Sequence, residues 1–477
     1  MPYFNINEAP QILDKNDRYG VVLLTNFLLR PDSKKGYLLE SFFGLTKEID
    51  FQGVSRGVTY STKDNANYRV IGQKLIKEDS EFTEQVTIPN NDRVKMSSSA
   101  LTQVIVTGGV VNYWDGKELT KLKNWTKDEP NSSGATNFDF SNIIDCTHHN
   151  DFYLFIKGGQ SGFLKTAPLN EQRPDPANFV NGAVSQGKND DSIGITVLDD
   201  RVLLFGANTA RFYTFTTTGV YQEIVNIRVS FRLANRNAYC SWDERKCVAV
   251  GSVTSQKTRS QIGVYYLQDG ATQAIHTDHI LKILAENGEG DIKTEKLEPN
   301  GYKLLLLHLK KETLCYIENT KKWIRLATGR QGKNYQAYDF ALNTITSAWT
   351  CAGKENGNVF NLDYSKSTQD GIESLHRLPL ETIQKENPKA RTQMIDFSFD
   401  LAMNANEQAR LQSMKVKLSD NGKVYNNIFH LDYNAPYDIY KQPDYRRFAT
   451  IKSNYGLSIM LEMVPLDVLS INGVMYE

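Results

Sequence analysis

The 477 residues balance 55 Lys and Arg against 55 Asp and Glu, with 40% apolar and 23% charged residues. That length accommodates two or more ordinary domains, or one large repeat fold with an appendage, and the composition is that of a folded chain. A formal net charge of zero excludes a general nucleic-acid coat, whose affinity comes from neutralising phosphates, so any nucleic-acid contact is local; it also leaves little self-repulsion to oppose association.

Five cysteines, Cys146, Cys240, Cys247, Cys315 and Cys351, are odd in number and sparse, which argues against a disulfide framework and for synthesis in a reducing cytosol. The opening stretch MPYFNINEAPQILDKNDRYG carries no basic n-region, apolar core or cleavage site, so no signal peptide is expected. The longest apolar runs, VVLL and KLLLLHL, fall far below the ~20 residues that span a bilayer. No membrane insertion is expected.

Tyr and Phe lead an aromatic content of 11%, and Thr and Val are frequent, a bias toward β structure. The first clear element is a hairpin in GVSRGVTYSTKDNANYRVIGQKL, with strands VTYS and YRVI around the polar turn Thr62–Asn67. It carries Arg56 between a Ser and a Gly, and Arg69 inside an apolar run. KMSSSALTQVIVTGGVVNYWDGKELTKLKNW follows, where Asp115-Gly116 supplies the dipeptide of a type I′ hairpin. Next come IIDCTHHNDFYLFIKGGQSGFLKTA, SIGITVLDDRVLLFGANTARFYTFTTTG, AYCSWDERKCVAVGS with QIGVYYLQDGATQAI, KLEPNGYKLLLLHLKKETLCYIENTKKWIRLATG, and AYDFALNTITSAWTCAGKENGNVFNLDY. Each unit is strand, polar turn, more apolar strand, Gly-marked turn and aromatic-bearing strand, recurring roughly every 40–55 residues, the spacing of four-stranded propeller blades. The expectation is an all-β fold, a β-propeller of six blades, with seven as the alternative.

One helix is predicted in HTDHILKILAENG, with Thr277 as N-cap and Asn287-Gly288 as the stop. Long polar stretches at 126–137 and 170–191 read as loops, and loops of that length are often contact surfaces. Beyond residue 366 a polar connector leads to MIDFSFDLAMN, SMKVKLSDNGKVYNNIF, YRRFATIKSNYGLSIMLEMV and LDVLSINGVMYE, an antiparallel β domain with a hairpin signal at Asn421-Gly422. The expected division is an N-terminal segment 1–50 entering the propeller, a propeller body 51–366, and a connector with C-terminal β domain 367–477.

Sites of chemistry are sparse. Cys240 and Cys247 are spaced too widely for a zinc knuckle, and His279, near His276, is explained as a polar residue in a helix first turn, so no metal is expected. His148 and His149 are neighbours on a strand and point to opposite faces. GRQGKN at 329–334 lacks the Ser/Thr and following helix of a phosphate loop. Asp115, Asp199, Asp200, Asp243, Asp339 and Asp363 sit in turns or flank strands, where Asp is common, and the sialidase Asp box is absent. No catalytic residue and no cofactor are expected. Arg56, Arg69, Arg211, Arg446 and Arg447 are the candidates for pairing with partners or phosphates. The plainer reading of each is a stem packed along a sheet with its head solvated or salt-bridged.

The segment QGVSRGVTYSTKDNANYRVIGQKLIK resembles the matching segment of the packaged-DNA stabilisation proteins, the tail accessory factors of short-tailed lambdoid phages. The resemblance continues in order through GYLLESFFGLTKEID, with Phe43 where that family has Pro, and through DRVKMSSSALTQVIVTGGVVNYWDGKELTKLKNW. It runs on through SIGITVLDDRVLLFGANTARFYTFTTTG, with Arg211 where the family has Glu, to DYRRFATIKSNYGLSIMLEMVPLDVLSINGVMYE. It implies a virion tail protein and no enzyme, made in the host bacterial cytoplasm. The further implication is a homo-hexameric hub or nozzle ring below the portal and head-to-tail adaptor, extending the channel, supporting the tail needle and giving tailspikes or fibres attachment. Contact with packaged double-stranded DNA would be non-specific, by shape and a few local charges. Within that reading Arg56, Arg69, Arg446 and Arg447 are candidates for interfaces. The alternatives are a propeller glycan-binding module or glycosidase, and a WD-type scaffold, against which the lack of repeated Gly-His and Trp-Asp signatures counts.

Overall fold

The computed structural model describes residues 23–32, 36–122, 140–167, 170–174, 190–217, 219–253, 261–379, 393–403, 411–419, 427–432, 447–451, 458–465 and 469–476. Among the described residues three strands precede the repeats: β1 (Phe27–Asp32), β2 (Gly36–Ser41) and β3 (Gly44–Phe51). Antiparallel meanders then follow at 55–87, 95–121, 143–174, 192–223, 239–274, 293–328 and 337–363, referred to as blades 1 to 7. The first strand of each blade packs beside the first strand of the next, and that of blade 7 packs beside that of blade 1, so the cycle closes. The blade seam is thus a β-propeller seam.

Among the described residues the cycle holds seven sheets, one more than the preferred reading of the repeat spacing. The reason is the last blade. It has three strands from residues 337–363, and its fourth is β3, paired antiparallel from Gly44↔Asp363 to Phe51↔Gly357. A repeat divided between two distant parts of the chain shows only three of its four strands in one stretch.

Burial explains the sequence grammar. The second and third strands of a blade lie between neighbouring blades, so both faces meet apolar side chains. Phe152–Lys157 (FYLFIK), Leu304–His308 (LLLLH) and Thr313–Ile317 (TLCYI) are accordingly near-continuous apolar runs, buried throughout or nearly so. Each large side chain buried this way contributes about 1.5–3 kcal/mol relative to exposure. Outer strands such as Phe82–Thr87 face solvent and stay polar.

Local chemistry corrects two turns and supports the helix. The opening hairpin turns at residues 62–65, and Ala66 and Asn67 belong to the second strand. Trp114 pairs with Leu119, so Asp115-Gly116 begins a four-residue turn and not a two-residue type I′ turn. Asp115 Oδ1 instead accepts from the N–H groups of Lys117 and Glu118, both at 2.8 Å. Helix α1 (Asp278–Asn287) starts where Thr277 Oγ1 accepts from Ile280 N–H and stops at Gly288, φ 77°. Its buried face, Ile280, Ile283 and Leu284, joins the core of blades 4 to 6. Within the stretch read as a loop from 170, residues Asn170–Pro174 form the outer strand of blade 3. The stretches 126–137 and 175–189, and the Asn421-Gly422 signal, lie outside the described residues.

The C-terminal part forms two further sheets. One orders β1, β2, Leu469–Tyr476, Gln393–Met403 and Arg447–Ile451; the other orders His376–Pro379, Ser458–Pro465, Leu411–Ser419 and Asn427–Asp432. Phe27, Leu28, Leu39 and Leu45 share one apolar cluster with Leu304 and Leu326 of blade 6, Phe360 of blade 7, and Ile459 and Leu461. The C-terminal sheets therefore sit on a core continuous with the propeller.

Candidate functional site at the propeller axis

The inner strands converge near their first residues, and several carry a bulge there: between Ser55 and Gly57, Ile143 and Asp145, Ser192 and Gly194, and Tyr338 and Ala341. A bulge re-aims a side chain out of the strand's alternation. At the meeting point stands Asp339, 2% exposed, at φ 58°. Its Oδ1 accepts from Arg93 Nη2 at 2.6 Å and from Lys293 Nζ, and its Oδ2 accepts from Ser55 Oγ at 2.6 Å. Its carbonyl accepts from Arg69 Nη1 at 2.6 Å, and its N–H donates to Glu295 Oε2 at 3.1 Å. Glu295 also accepts from Lys293 at 2.5 Å and lies 2.8 Å from His308 Nε2. Lys293 and Arg93 stack over the Tyr338 ring at 4.1 and 4.7 Å.

In blade 3 Asp145, 1% exposed, accepts from the Tyr239 hydroxyl and from Ile195 N–H, with Lys95 Nζ 3.8 Å away. Gly194 leaves room for the Tyr239 ring, because a Cβ there would meet it at 2.6 Å. With the Arg69–Glu78 pair, the cations Arg69, Arg93, Lys95 and Lys293 stand against the carboxylates Glu78, Asp145, Glu295 and Asp339. This balance is what permits so many charges to be buried together.

Burial pushes the Asp339 carboxyl up, but Arg93 and Lys293 outweigh it and hold the group well below the ordinary carboxylate range. Burial pushes Asp145 up and Lys95 down, against their mutual attraction. It also holds the His308 imidazole down, against the pull of Glu295. Every one of these carboxylates is committed to cations and N–H or O–H donors within the chain. The cluster ties blade to blade, and among the described residues it sets no activated nucleophile beside a free base.

Of the arginines expected at interfaces, Arg56 and Arg69 are buried inside the chain. Arg56 is 2% exposed, and its guanidinium donates to the carbonyls of Asp92 (2.6 Å), Gly72 (2.9 Å) and Pro89 (3.4 Å), to Asn90 Oδ1 and to Thr107 Oγ1 (2.7 Å). It joins blades 1 and 2. Arg69 is fully buried and pairs with Glu78, the Asp339 carbonyl and Thr350 Oγ1 at 3.2 Å, joining blades 1 and 7. Both guanidiniums are spent inside the chain, with no surface to offer a neighbouring molecule. Arg211 is likewise buried and donates to Asp190 Oδ2 at 2.7 Å. Arg447 begins the strand Arg447–Ile451, opposite Phe397, and Arg446 lies outside the described residues.

Arg93, Lys293, Glu295 and His308 escaped the sequence reading, and Asp339 entered it only as a strand-flanking carboxylate. The available signal was a charged residue in the first three positions of an inner strand, where Lys95, Asp145, Lys293 and Asp339 all stand. His149 turns to Tyr221 (2.9 Å) while His148 packs on the Tyr153 ring, the opposite-face arrangement expected of neighbours. Register likewise sets Cys240 opposite Val248 and Ser241 opposite Cys247, so the two cysteines point to opposite faces and cannot share a ligand. An open cleft of about 580 Å³ between blades 5 and 6 is lined by Trp242, Asp243, Lys296, Glu298 and Lys303. Trp242 is fully buried and its indole N–H donates to Glu318 at 3.0 Å, so it presents no face for a sugar.

Residues 15–367 match the family model described as bacteriophage P22 Gp10, β-propeller. Over 462 residues, 93% of each chain, the sequence is 28% identical to the tail hub protein gp10 of Salmonella phage P22. Among solved structures, the computationally designed Ika8 protein aligns with a TM-score of 0.38 at 10% identity, covering 72% of this chain and 99% of its own. The extracellular domain of a hybrid two-component system from B. thetaiotaomicron aligns at 0.33 and 10%, covering 72% and 52%.

Proposed function

The chain belongs to the P22 Gp10 β-propeller family, and from that premise we propose that it forms the hub ring of a phage tail and holds the packaged genome in place. It is a structural tail protein and not an enzyme. The observation that carries the proposal is the collinear similarity to a tail hub protein along 93% of both chains. In this reading six copies close a ring by a heterologous interface that rotates back on itself. The ring sits below the portal and adaptor, extends their channel, supports the needle and gives tailspikes or fibres a place to attach.

In this reading the conduit for DNA lies between copies of the chain, whose inner strands are tied to one another by the charge cluster. Duplex DNA in such a conduit meets shape and local charge, consistent with a chain of zero net charge. The propeller body, bounded at 51–366 from sequence, and the part from 367 onward would share the partners between them.

The test is a phage carrying an amber codon in this gene. Heads are expected to package DNA and then lose it, with full-length protein supplied in trans restoring retention. Stable, DNA-filled, infectious particles without the protein would refute the proposal.

A further inference from the structure

Residues 24–32 and 36–51 take part in several junctions between the propeller and the C-terminal sheets. Thr25 and Arg377 exchange backbone hydrogen bonds at 3.0 and 3.2 Å, while Asn26 N–H donates to the Arg325 carbonyl at 2.9 Å and Arg325 N–H to that of Leu24 at 2.8 Å. The Asn26 side chain, 2% exposed, donates to the carbonyls of Ala327 (2.8 Å) and Leu375 (3.0 Å) and accepts from Ala327 N–H (2.9 Å). Its φ of 57° is a conformation that Asn tolerates better than most residues. One side chain thus staples the outer strand of blade 6 to the start of the C-terminal part.

From the staple the chain runs through β1 into β2, which pairs with Leu469–Tyr476 at Leu39↔Ile471 and Glu40↔Ser470. Only Phe42 and Phe43 separate β2 from β3. Phe42 N–H donates back to the Asn26 carbonyl at 2.7 Å, and the Phe43 ring stands edge-on to Tyr364 at 5.1 Å. Gly44 and Leu45 N–H then donate to the carbonyls of Lys366 and Thr368 at 2.8 and 2.9 Å. A Cβ on Gly44 would lie 2.6 Å from the Thr368 carbonyl, so only Gly fits this crossing. β3 follows at once and closes blade 7.

There is no slack between the strand that completes a C-terminal sheet and the strand that completes the propeller. We propose that residues 24–32 and 36–51 form a single latch through which the C-terminal sheets and the closure of blade 7 open and close together. A partner that grips the C-terminal sheets would thereby tighten the propeller seam, and coupling of this kind runs equally in both directions.

Native-state hydrogen exchange on the full chain tests this, first with the unaltered protein in a series of sub-denaturing urea concentrations. Amides of β2 and of the β3–Gly357–Asp363 ladder should open with one common urea dependence, as a cooperative unit. Separate dependences for the two would overturn the proposal. In Asn26→Ala, which removes the side-chain staple to Ala327 and Leu375, exchange should rise at least about tenfold in β2, β3 and Gly357–Asp363, the effect of losing one or two buried hydrogen bonds. Blades 3 and 4 should be unchanged. Acceleration confined to residues 24–41 would overturn the proposal, and if the variant unfolds outright the urea series decides alone.

Discussion

Glu78→Gln is the sharpest perturbation of the propeller seam. The change keeps the size of the side chain and deletes the charge that Arg69 faces, with both side chains fully buried. Arg69 then keeps the Asp339 carbonyl and Thr350 Oγ1, neither of which neutralises it. Breaking one partner of a buried pair costs about 3–5 kcal/mol, because the remaining charge stays desolvated. The body from Gly44 to Asp363 unfolds with an entropy of about 0.7 kcal/mol per degree, taking ~2.1 cal/mol/K per residue. The melting temperature should therefore fall by about 4–8 °C, read by calorimetry on purified protein at pH 7. The double variant Arg69→Met with Glu78→Leu should recover much of this loss, since apolar replacement of both partners removes the desolvation penalty. A Glu78→Gln melt within a degree of the parent, or a double variant as damaged as the two single changes added together, would refute the reasoning.

Arg56→Met should cost about 3 kcal/mol in urea unfolding, because it strands the carbonyls of Asp92, Gly72 and Pro89 in the blade 1–blade 2 seam. Arg56→Lys should rescue only part, as one ammonium cannot span the positions a guanidinium reaches. His376 is buried with Nδ1 on the Ser374 carbonyl, and burial lowers its pKa from 6.5 to about 4. Between those values the unfolded chain binds the proton and the folded chain does not, so stability is complete above pH 6.5 and falls by about 3 kcal/mol as pH drops to 4. His376→Phe should flatten that part of the pH–stability curve, and an unchanged slope would contradict the assignment. Thr277→Ala should destabilise by about 1 kcal/mol through loss of the α1 cap, with increased exchange confined to the first turn.

The fold class was readable because propeller blades repeat a local grammar of strands and turns, and each turn residue acts over a few positions. Helix α1 was readable for the same reason, since Thr277, the apolar face and Gly288 lie within a dozen residues. The fourth strand of blade 7 and the latch were not, because β3 meets its partner only after some three hundred intervening residues. The axis cluster was hidden by a different cause. Asp339, Lys293 and Lys95 each look like an ordinary polar residue at a strand end, and only the packing of blade against blade brings each to its partner. Arg56 and Arg69 show the limit most plainly. Their unusual settings in the opening hairpin were visible, but whether an arginine in a sheet faces a neighbour molecule or a neighbouring blade depends on closure alone.

Symmetry-free imaging of intact virions, with this protein located by a bound antibody fragment, tests the tail hub reading most directly. Six copies in a closed ring on the tail axis below the portal are expected, with the channel running between copies. Absence of the protein from the virion, or its attachment as separate copies away from that axis, would contradict it.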